Sequence, residues 1–323
     1  MNKLTIKNKR IFITGGAGFL GKKLIERLYN DNEIIVYSRD EAKHYSLKAI
    51  YPNVRFILGD IRDKDLITRS SRGANIGIFA ASLKQISACD EYPEEASKTI
   101  LNGAINSKYA AIENKFDSAT FISTDKSRAA TTIYGSLKFA AGEQFILKNN
   151  LEKESETKLS TMIYGNVLNS TGSIIPMIWQ AINSNSKLTL FSNEMTRFLI
   201  DADEALDLIF KGLKIDGASI IPKSKSAKIL DLFEIYREKF NLGYLIGNPR
   251  VGEKIHEILA SKEELQRISN SDCGSFFILR PAFSNKIPVF DGFTNGEDYS
   301  SKDCLISKSE LNKILSKYNY FKP

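Results

Sequence analysis

A chain of 323 residues, 42% hydrophobic and 26% charged, has ordinary globular composition and enough length for one large domain or two smaller ones. Its 45 Lys and Arg outnumber 38 Asp and Glu, but they are scattered, with no basic block or aromatic-interleaved run. That favours general solubility over nucleic-acid binding as the reading of the +7 charge, which also suits a diphosphate-bearing substrate.

The N-terminus, MNKLTIKNKR, lacks the apolar core of a signal peptide, and no run approaches the ~20 apolar residues a membrane helix needs. Cys89, Cys273 and Cys304 show neither zinc spacing nor a disulfide framework. A cytoplasmic protein with no membrane partner is expected.

Lys9 to Thr14 predicts a first strand. Gly15, Gly18 and Gly21 follow at GxxGxxG spacing, and Leu20, Leu24 and Leu28 recur every fourth residue, as on a half-buried helix. A strand, a glycine turn and a helix N-terminus together make an anion site, because free amides and the helix dipole face the same point. Such a turn suits the pyrophosphate of a dinucleotide.

A second strand, Ile34 to Tyr37, ends at Ser38-Arg39. NAD binders place an acidic residue here for the ribose hydroxyls. Arg39, with Lys43 nearby, suits the 2′-phosphate of NADP instead. The alternative is that Arg39 points to solvent and Asp40 reads the ribose, so NAD remains the second candidate.

Val54 to Leu58 and Ile76 to Ala81 predict strands three and four. Asp60 stands at the end of one, and Ser82-Leu83-Lys84-Gln85 follows the other. Ala119 to Ile122 predicts the fifth, running into Ser123-Thr124-Asp125-Lys126 and then a helix with Tyr134 and Lys138. Residues four apart share a helix face. An ammonium there is expected to stabilise the phenolate and bring Tyr134 toward neutrality, fit to take a proton from a hydroxyl. Strands alternating with helices imply an α/β fold, a doubly wound parallel sheet with ligands at its carboxyl edge.

Leu159 to Tyr164 predicts a sixth strand, followed by Gly165-Asn166-Val167 and the polar run Ser170 to Ser173. Ile174 to Ile182 reads as a helix whose Trp179 belongs to the core, and Leu188 to Phe191 as a strand. Asp201 with Glu204, and Ser307 with Glu310, have capping-box spacing at helix starts. Lys228 to Phe240 predicts another helix. His44 and His256 read as structural or exposed, and no metal set is visible.

TGGAGFLG at one end and YGSLK at the other resemble the extended short-chain dehydrogenases/reductases. Ala80 to Gln85, Ser123 to Lys126, Tyr164 to Val167, Met195-Thr196-Arg197-Phe198 and Gly252 to Glu257 narrow the resemblance. They are similar to the nucleotide-sugar 4,6-dehydratases of nonulosonic-acid (pseudaminic and legionaminic) and capsule pathways. Four positions depart from the family pattern. Phe79 stands for a histidine, Ile100 for an asparagine, Ser127 to Thr132 lacks the usual proline, and RPGEK reads Arg250-Val251-Gly252-Glu253-Lys254.

The resemblance implies a Rossmann-type domain over 1–166. It implies a smaller C-terminal substrate-binding α/β region over 167–323, with some chain returning to the sheet. By analogy a homo-oligomer is expected. The implied cofactor contacts begin at Gly15, Gly18, Phe19, Leu20 and Gly21. They continue through Ser38, Arg39, Lys43, Asp60 and Ile61, and close with Ala80, Ala81, Tyr134, Lys138 and Val167. The implied contacts to a UDP- or GDP-linked N-acetylglucosamine come from Lys84, Asn166, Thr171, Ser173, Arg197, Arg250 and Glu253, though either arginine could serve an ion pair. Gly252 to Glu257 is a candidate to close over the nucleotide.

The implied chemistry passes through a C4 ketone, which acidifies the C5 proton. Tyr134 and Lys138 take the O4 proton as hydride leaves C4, with Thr124 polarising the C4 oxygen. Lys126 takes the C5 proton, Asp125 protonates the departing O6, and hydride returns to C6. The order of Lys126 as base and Asp125 as acid follows the family. It calls for a lowered Lys126 pKa and a raised Asp125 pKa. Two other readings stay open: a nucleotide-sugar 4-epimerase, which has no need of an acid–base pair at C5 and C6, and a non-catalytic NADP-binding protein that kept the fold.

Overall fold

The computed structural model describes residues 3–249, 252–283 and 297–322. Arg250, expected at the substrate, lies outside them. Six strands follow in chain order in the first half: β1 Arg10–Thr14, β2 Glu33–Ser38, β3 Arg55–Leu58, β4 Ile76–Phe79, β5 Ser118–Ile122 and β6 Lys158–Met162. The second half adds β7 Ala218–Pro222, β8 Ile268–Asn270 and β9 Phe276–Leu279. Together they form one sheet in the order β8-β9-β7-β6-β5-β4-β1-β2-β3. From β7 to β3 every pairing is parallel, while β9 and β8 pair antiparallel at the edge.

Alternation along β1 shows why the sheet is covered on both faces. Ile11 and Ile13 pack with Leu24, Leu28, Leu206 and Ile209. Phe12 between them packs on the opposite side with Ile67, Ala104, Phe79 and Phe145. The departure at Phe79 is thus a core ring, in edge contact with Phe12 and Phe145. Ile100 is likewise buried, in a π-helical turn at Lys98–Asn102.

After β6 the chain builds a second layer. Strands Lys225–Lys228, Thr196–Ile200 and Asn166–Val167 form a small sheet. The helices Ile174–Asn183, Ile229–Phe240 and Lys308–Lys317 enclose their own core around Ile178, Phe233, Tyr236 and Leu311. Trp179 belongs to it, stacking near Tyr236 and Phe240 while its indole N–H donates to the Tyr320 carbonyl at 3.2 Å. The helix Ala202–Gly212 starts with a reciprocal Asp201–Glu204 capping box, as its spacing predicts. No described helix is long and apolar enough to cross a membrane.

The two layers are pinned together at the loop after β5. Arg128 is fully buried there, hydrogen-bonded to Glu264, with Glu143 at 3.8 Å and the Phe139 ring 5.2 Å away. Thr131 Oγ1 donates to the Gly252 carbonyl at 2.8 Å, and Lys254 Nζ donates to the Arg128 carbonyl. Removing one member of a buried pair leaves the other charge unsolvated. Arg128→Ala is therefore expected to lower stability by about 3–5 kcal/mol, read as a fall in the urea midpoint.

Candidate functional site

The chain runs outward from β1 to β2 and β3, then returns to β4 on the other side of β1. The carboxyl ends of β1 and β4 therefore flank a crevice, the place where open parallel sheets take ligands. Gly15 turns the chain there at φ +68°, and a Cβ on it would lie 2.8 Å from the Ala81 amide nitrogen. No side chain caps the helix Phe19–Leu28 that follows, so its first amides keep no intrahelical partner. A close backbone approach and open amides fit a dinucleotide pyrophosphate.

Beside this turn is a cleft of about 410 Å³ lined by Gly15, Ser38, Arg39, Asp40, Ile61 and Ala81, among others. The polar groups on its wall are unequally committed. Asp40 caps the helix Glu41–Ile50, accepting from the Lys43 amide at 3.0 Å and pairing with Lys43 Nζ at 2.6 Å. Asp60 is gripped by Arg62 at 2.7 Å, and Ser38 is bonded to His44 at 2.6 Å. Arg39 keeps only a 3.4 Å approach to Asp60, and its side chain is 55% exposed.

The catalytic candidates meet at the ends of β5 and β6. Asp125 to Ser127 forms a single 3₁₀ turn. The helix Ile133–Ile146 packs directly on it. A Cβ at Gly135 would sit 2.3 Å from the Lys126 carbonyl, so glycine here lets the Tyr134 end of the helix lie against the Lys126 loop. Thr132 caps that helix, accepting from the Gly135 amide at 3.2 Å. Thr124 Oγ1 donates to Asp125 Oδ1 at 2.9 Å, and Lys126 Nζ lies 3.1 Å from the same oxygen.

Lys138 is buried, donates to the Ile122 carbonyl at 2.9 Å and stands over the Phe121 ring. Burial pulls its pKa down to about 7. Burial likewise pushes the Tyr134 phenol up to about 12, against the pull of Lys126 and a Thr124 hydrogen bond. This corrects the expectation that Lys138 brings Tyr134 toward neutrality. The nearby cation acting on the phenol is Lys126, on the loop below.

Asp125 is raised, the direction expected of it from sequence, first by burial and then by Glu257, against the opposing pull of Lys126. Lys126 is a second correction. Burial favours its neutral form, but Asp125 and Glu257 outweigh burial and hold the ammonium above the ordinary lysine range. The reason is a residue the sequence reading placed only in a closing segment. Glu257 Oε1 lies 3.3 Å from Lys126 Nζ.

On the second-layer side, Lys84 Nζ donates to the Thr171 carbonyl, joining two expected substrate residues. Ser173 stands at the N-terminus of the helix Ile174–Asn183 without making a cap bond. Its Oγ and Asn166 Oδ1 are buried polar atoms with no partner among the described residues. Asn166 and Val167 pair with Leu199 and Ile200, beside Arg197. Arg197 is buried, 3.1 Å from Glu253 Oε1 and 3.5 Å from Glu257 Oε1, the ion-pair alternative for this residue. The segment 252–257 thus packs on the catalytic loop and on Arg197. His256 bonds to Thr196 Oγ1 at 2.9 Å.

The chain is similar to known proteins along most of its length. A family model described as polysaccharide biosynthesis protein matches residues 11–279. A UDP-N-acetylglucosamine 4,6-dehydratase (inverting) of Campylobacter jejuni is 34% identical over 264 residues, 79% of this chain and 78% of that protein. A UDP-glucose 4-epimerase of Rickettsia akari is 31% identical over 334 residues, 97% of each chain. Among solved structures, Pen from Bacillus thuringiensis superposes with a TM-score of 0.87 at 27% identity, over 98% of this chain and 100% of that one.

A lysine whose folded pKa lies near 7 binds fewer protons than in the unfolded chain between about pH 7 and 10. Unfolding free energy should therefore rise with pH across that window, by at most about 1.4 kcal/mol per pH unit. Below the window both states carry the proton and the burial cost is borne in full. Lys138→Met should lose this rise, measured as urea midpoints of the two proteins at the two ends of the window.

Proposed function

The chain belongs to the polysaccharide biosynthesis protein family, within the extended short-chain dehydrogenases/reductases, and from that membership we propose that it is a 4,6-dehydratase. Its substrate in this reading is a UDP-linked N-acetylglucosamine, its product the 4-keto-6-deoxy sugar, and its cofactor NADP. The product suits the surface-glycan and nonulosonic-acid routes that the sequence resemblance implies.

One observation carries the reading. Asp125 and Lys126 lie against the Tyr134 end of its helix, with Lys126 part-buried, Asp125 fully buried and its Oδ2 unpartnered among the described residues. An epimerase rotates a C4 ketone within its site and needs no acid–base couple beside C5 and C6. A dehydratase needs one, because hydroxide is a poor leaving group and the C5 hydrogen must be removed.

When bound, the nicotinamide supplies a hydride acceptor and a positive charge beside the phenol. Tyr134 then takes the O4 proton, and Thr124 polarises the C4 oxygen once its single hydroxyl hydrogen turns to it from Asp125. Lys138, anchored on the Ile122 carbonyl, orients the floor of the site. Asp125 holds the proton for O6, and Lys126 faces C5. Asn166, Ser173 and the helix N-terminus behind Ser173 offer unfilled polar groups to the sugar and diphosphate. UDP is preferred as the handle because the named relatives act on UDP-sugars.

NADP is preferred because Asp40 is spent on its helix cap and on Lys43, leaving Arg39 as the group free to meet a 2′-phosphate. Arg39→Ala should weaken NADP binding roughly tenfold and NAD binding less than about twofold, read by titration calorimetry.

The epimerase reading has support of its own in the Rickettsia akari relative, which matches end to end. Incubation with UDP- and GDP-N-acetylglucosamine followed by mass analysis separates the two. Loss of one water supports the dehydratase; an unchanged mass with a changed C4 centre sinks it. Lys126→Ala should still oxidise C4 but release water at least about a hundredfold more slowly. Full-rate water loss by that variant would remove Lys126 from the scheme.

A further inference from the structure

The pocket around Lys126 contains more charge than the acid–base couple requires. Three carboxyl groups, Asp125, Glu253 and Glu257, share it with Lys126, Arg197 and Lys254. Their pairing is selective. Glu253 and Glu257 both face Arg197, at 3.1 and 3.5 Å, and Glu257 also faces Lys126 at 3.3 Å. Lys254 turns its amine to the Arg128 carbonyl, and burial pulls its pKa down. Lys126 is thus shared between two carboxyls, Asp125 at 3.1 Å and Glu257 at 3.3 Å. Of the two, Asp125 has no exposed surface, and burial first, then Glu257, push its carboxyl up against the pull of Lys126.

Glu257 is built to stay where it is. Its amide donates to Ser301 Oγ at 2.9 Å, and its carbonyl accepts from the Ser301 amide at 2.8 Å. Ser301 Oγ is 2.6 Å from Thr196 Oγ1, next to Arg197. Arg197 itself is fixed by donating to the carbonyls of Thr196 and Ile255 at 2.7 and 3.2 Å. The Glu257 side chain is 4% exposed, and its Oε2, like Asp125 Oδ2, has no partner among the described residues. The surrounding charges leave Glu257 ionised: burial works against the carboxylate, but Lys126, Arg197 and Lys254 outweigh it.

We propose that Glu257 is a positioning residue for the elimination of water: it engages the Lys126 ammonium so that Asp125 keeps its proton, and it receives the proton Lys126 must release to become a base. The inference rests on the dehydratase reading. At rest the cluster is Asp125 carboxylic acid, Lys126 ammonium and Glu257 carboxylate. An N–H bond of Lys126 breaks and an O–H bond forms on Glu257, with no change in net charge. The free amine then takes the C5 proton. The C5–H electron pair becomes the C5–C6 double bond as C6–O6 breaks, and O6 leaves as water with the Asp125 proton. Lys126 next returns a proton to Asp125 across their 3.1 Å contact, and Glu257 returns one to Lys126. Every group ends as it began.

If Glu257 only braced Arg197 and the segment 252–257, its loss would damage all steps alike. Wild type, Glu257→Gln and Glu257→Asp are compared with NADP and UDP-N-acetylglucosamine bound, following reduced-nicotinamide absorbance, solvent deuterium entry at C5 and water loss. Infrared difference spectra record the band of a buried neutral carboxyl, assigned by its absence in Asp125→Asn. Glu257→Gln should lose that band. It should also slow C5 exchange and water loss at least about tenfold, with C4 oxidation and KM changed less than about twofold. Glu257→Asp, which keeps the charge, should retain the band and recover part of the rate.

A persistent band in Glu257→Gln, unchanged elimination, or an equal fall in C4 oxidation would overturn the proposal. A wild type that dehydrates neither UDP- nor GDP-N-acetylglucosamine, yet shows the band lost in Glu257→Gln, refutes the dehydratase reading and with it the proton relay.

Discussion

The burial of Asp125 beside Lys126 is the constraint on which the site turns. A carboxyl with none of its surface in water and a cation 3.1 Å away could simply form an ion pair, with acid and base both in the wrong protonation state. Burial first, and then the carboxylate of Glu257 held to the same ammonium from another part of the chain, push the Asp125 carboxyl up against that pairing. The state of this carboxyl thus depends on three residues from two separate segments, 125–126 and 257.

That arrangement depends on two close approaches. Gly135 brings the Tyr134 helix against the Lys126 carbonyl, and Gly15 brings the cofactor turn against Ala81. A methyl group at either place would meet backbone. On the other side, the buried Arg128–Glu264 bond and the Thr131–Gly252 and Lys254–Arg128 contacts fasten the catalytic loop to the second layer. The family proline expected in this loop is replaced here by packing and ion pairing. The sheet supplies the frame, while the fine geometry comes from where the second layer touches it.

The cofactor end follows a different logic, in which most polar groups are already occupied. Asp40, Asp60 and Ser38 spend their oxygens on Lys43, Arg62 and His44. His44, read as structural or exposed from sequence, holds Ser38 from inside, and burial keeps it neutral at pH 7. Arg39 stays outward and weakly tied. A surface cation beside a glycine turn suits an anionic cofactor, and it needs no rearrangement of the strand ends to serve one.

Sequence by itself determined the strand–glycine–helix unit at Gly15, the alternation of strands and helices, the Asp201 and Ser307 helix starts, and the nearness of Tyr134 to Lys138. These are legible because they rest on periods of two or about four residues and on turn chemistry within a few positions. Only the tertiary structure decided that Lys126 is held as an ammonium, that Arg197 is enclosed between Glu253 and Glu257, and that Glu257 faces Lys126 at all. Charge acts through space and burial depends on every segment packed overhead. No pattern between Lys126 and a glutamate 131 positions later announces that the two carboxyl and amine groups share one proton-bearing pocket.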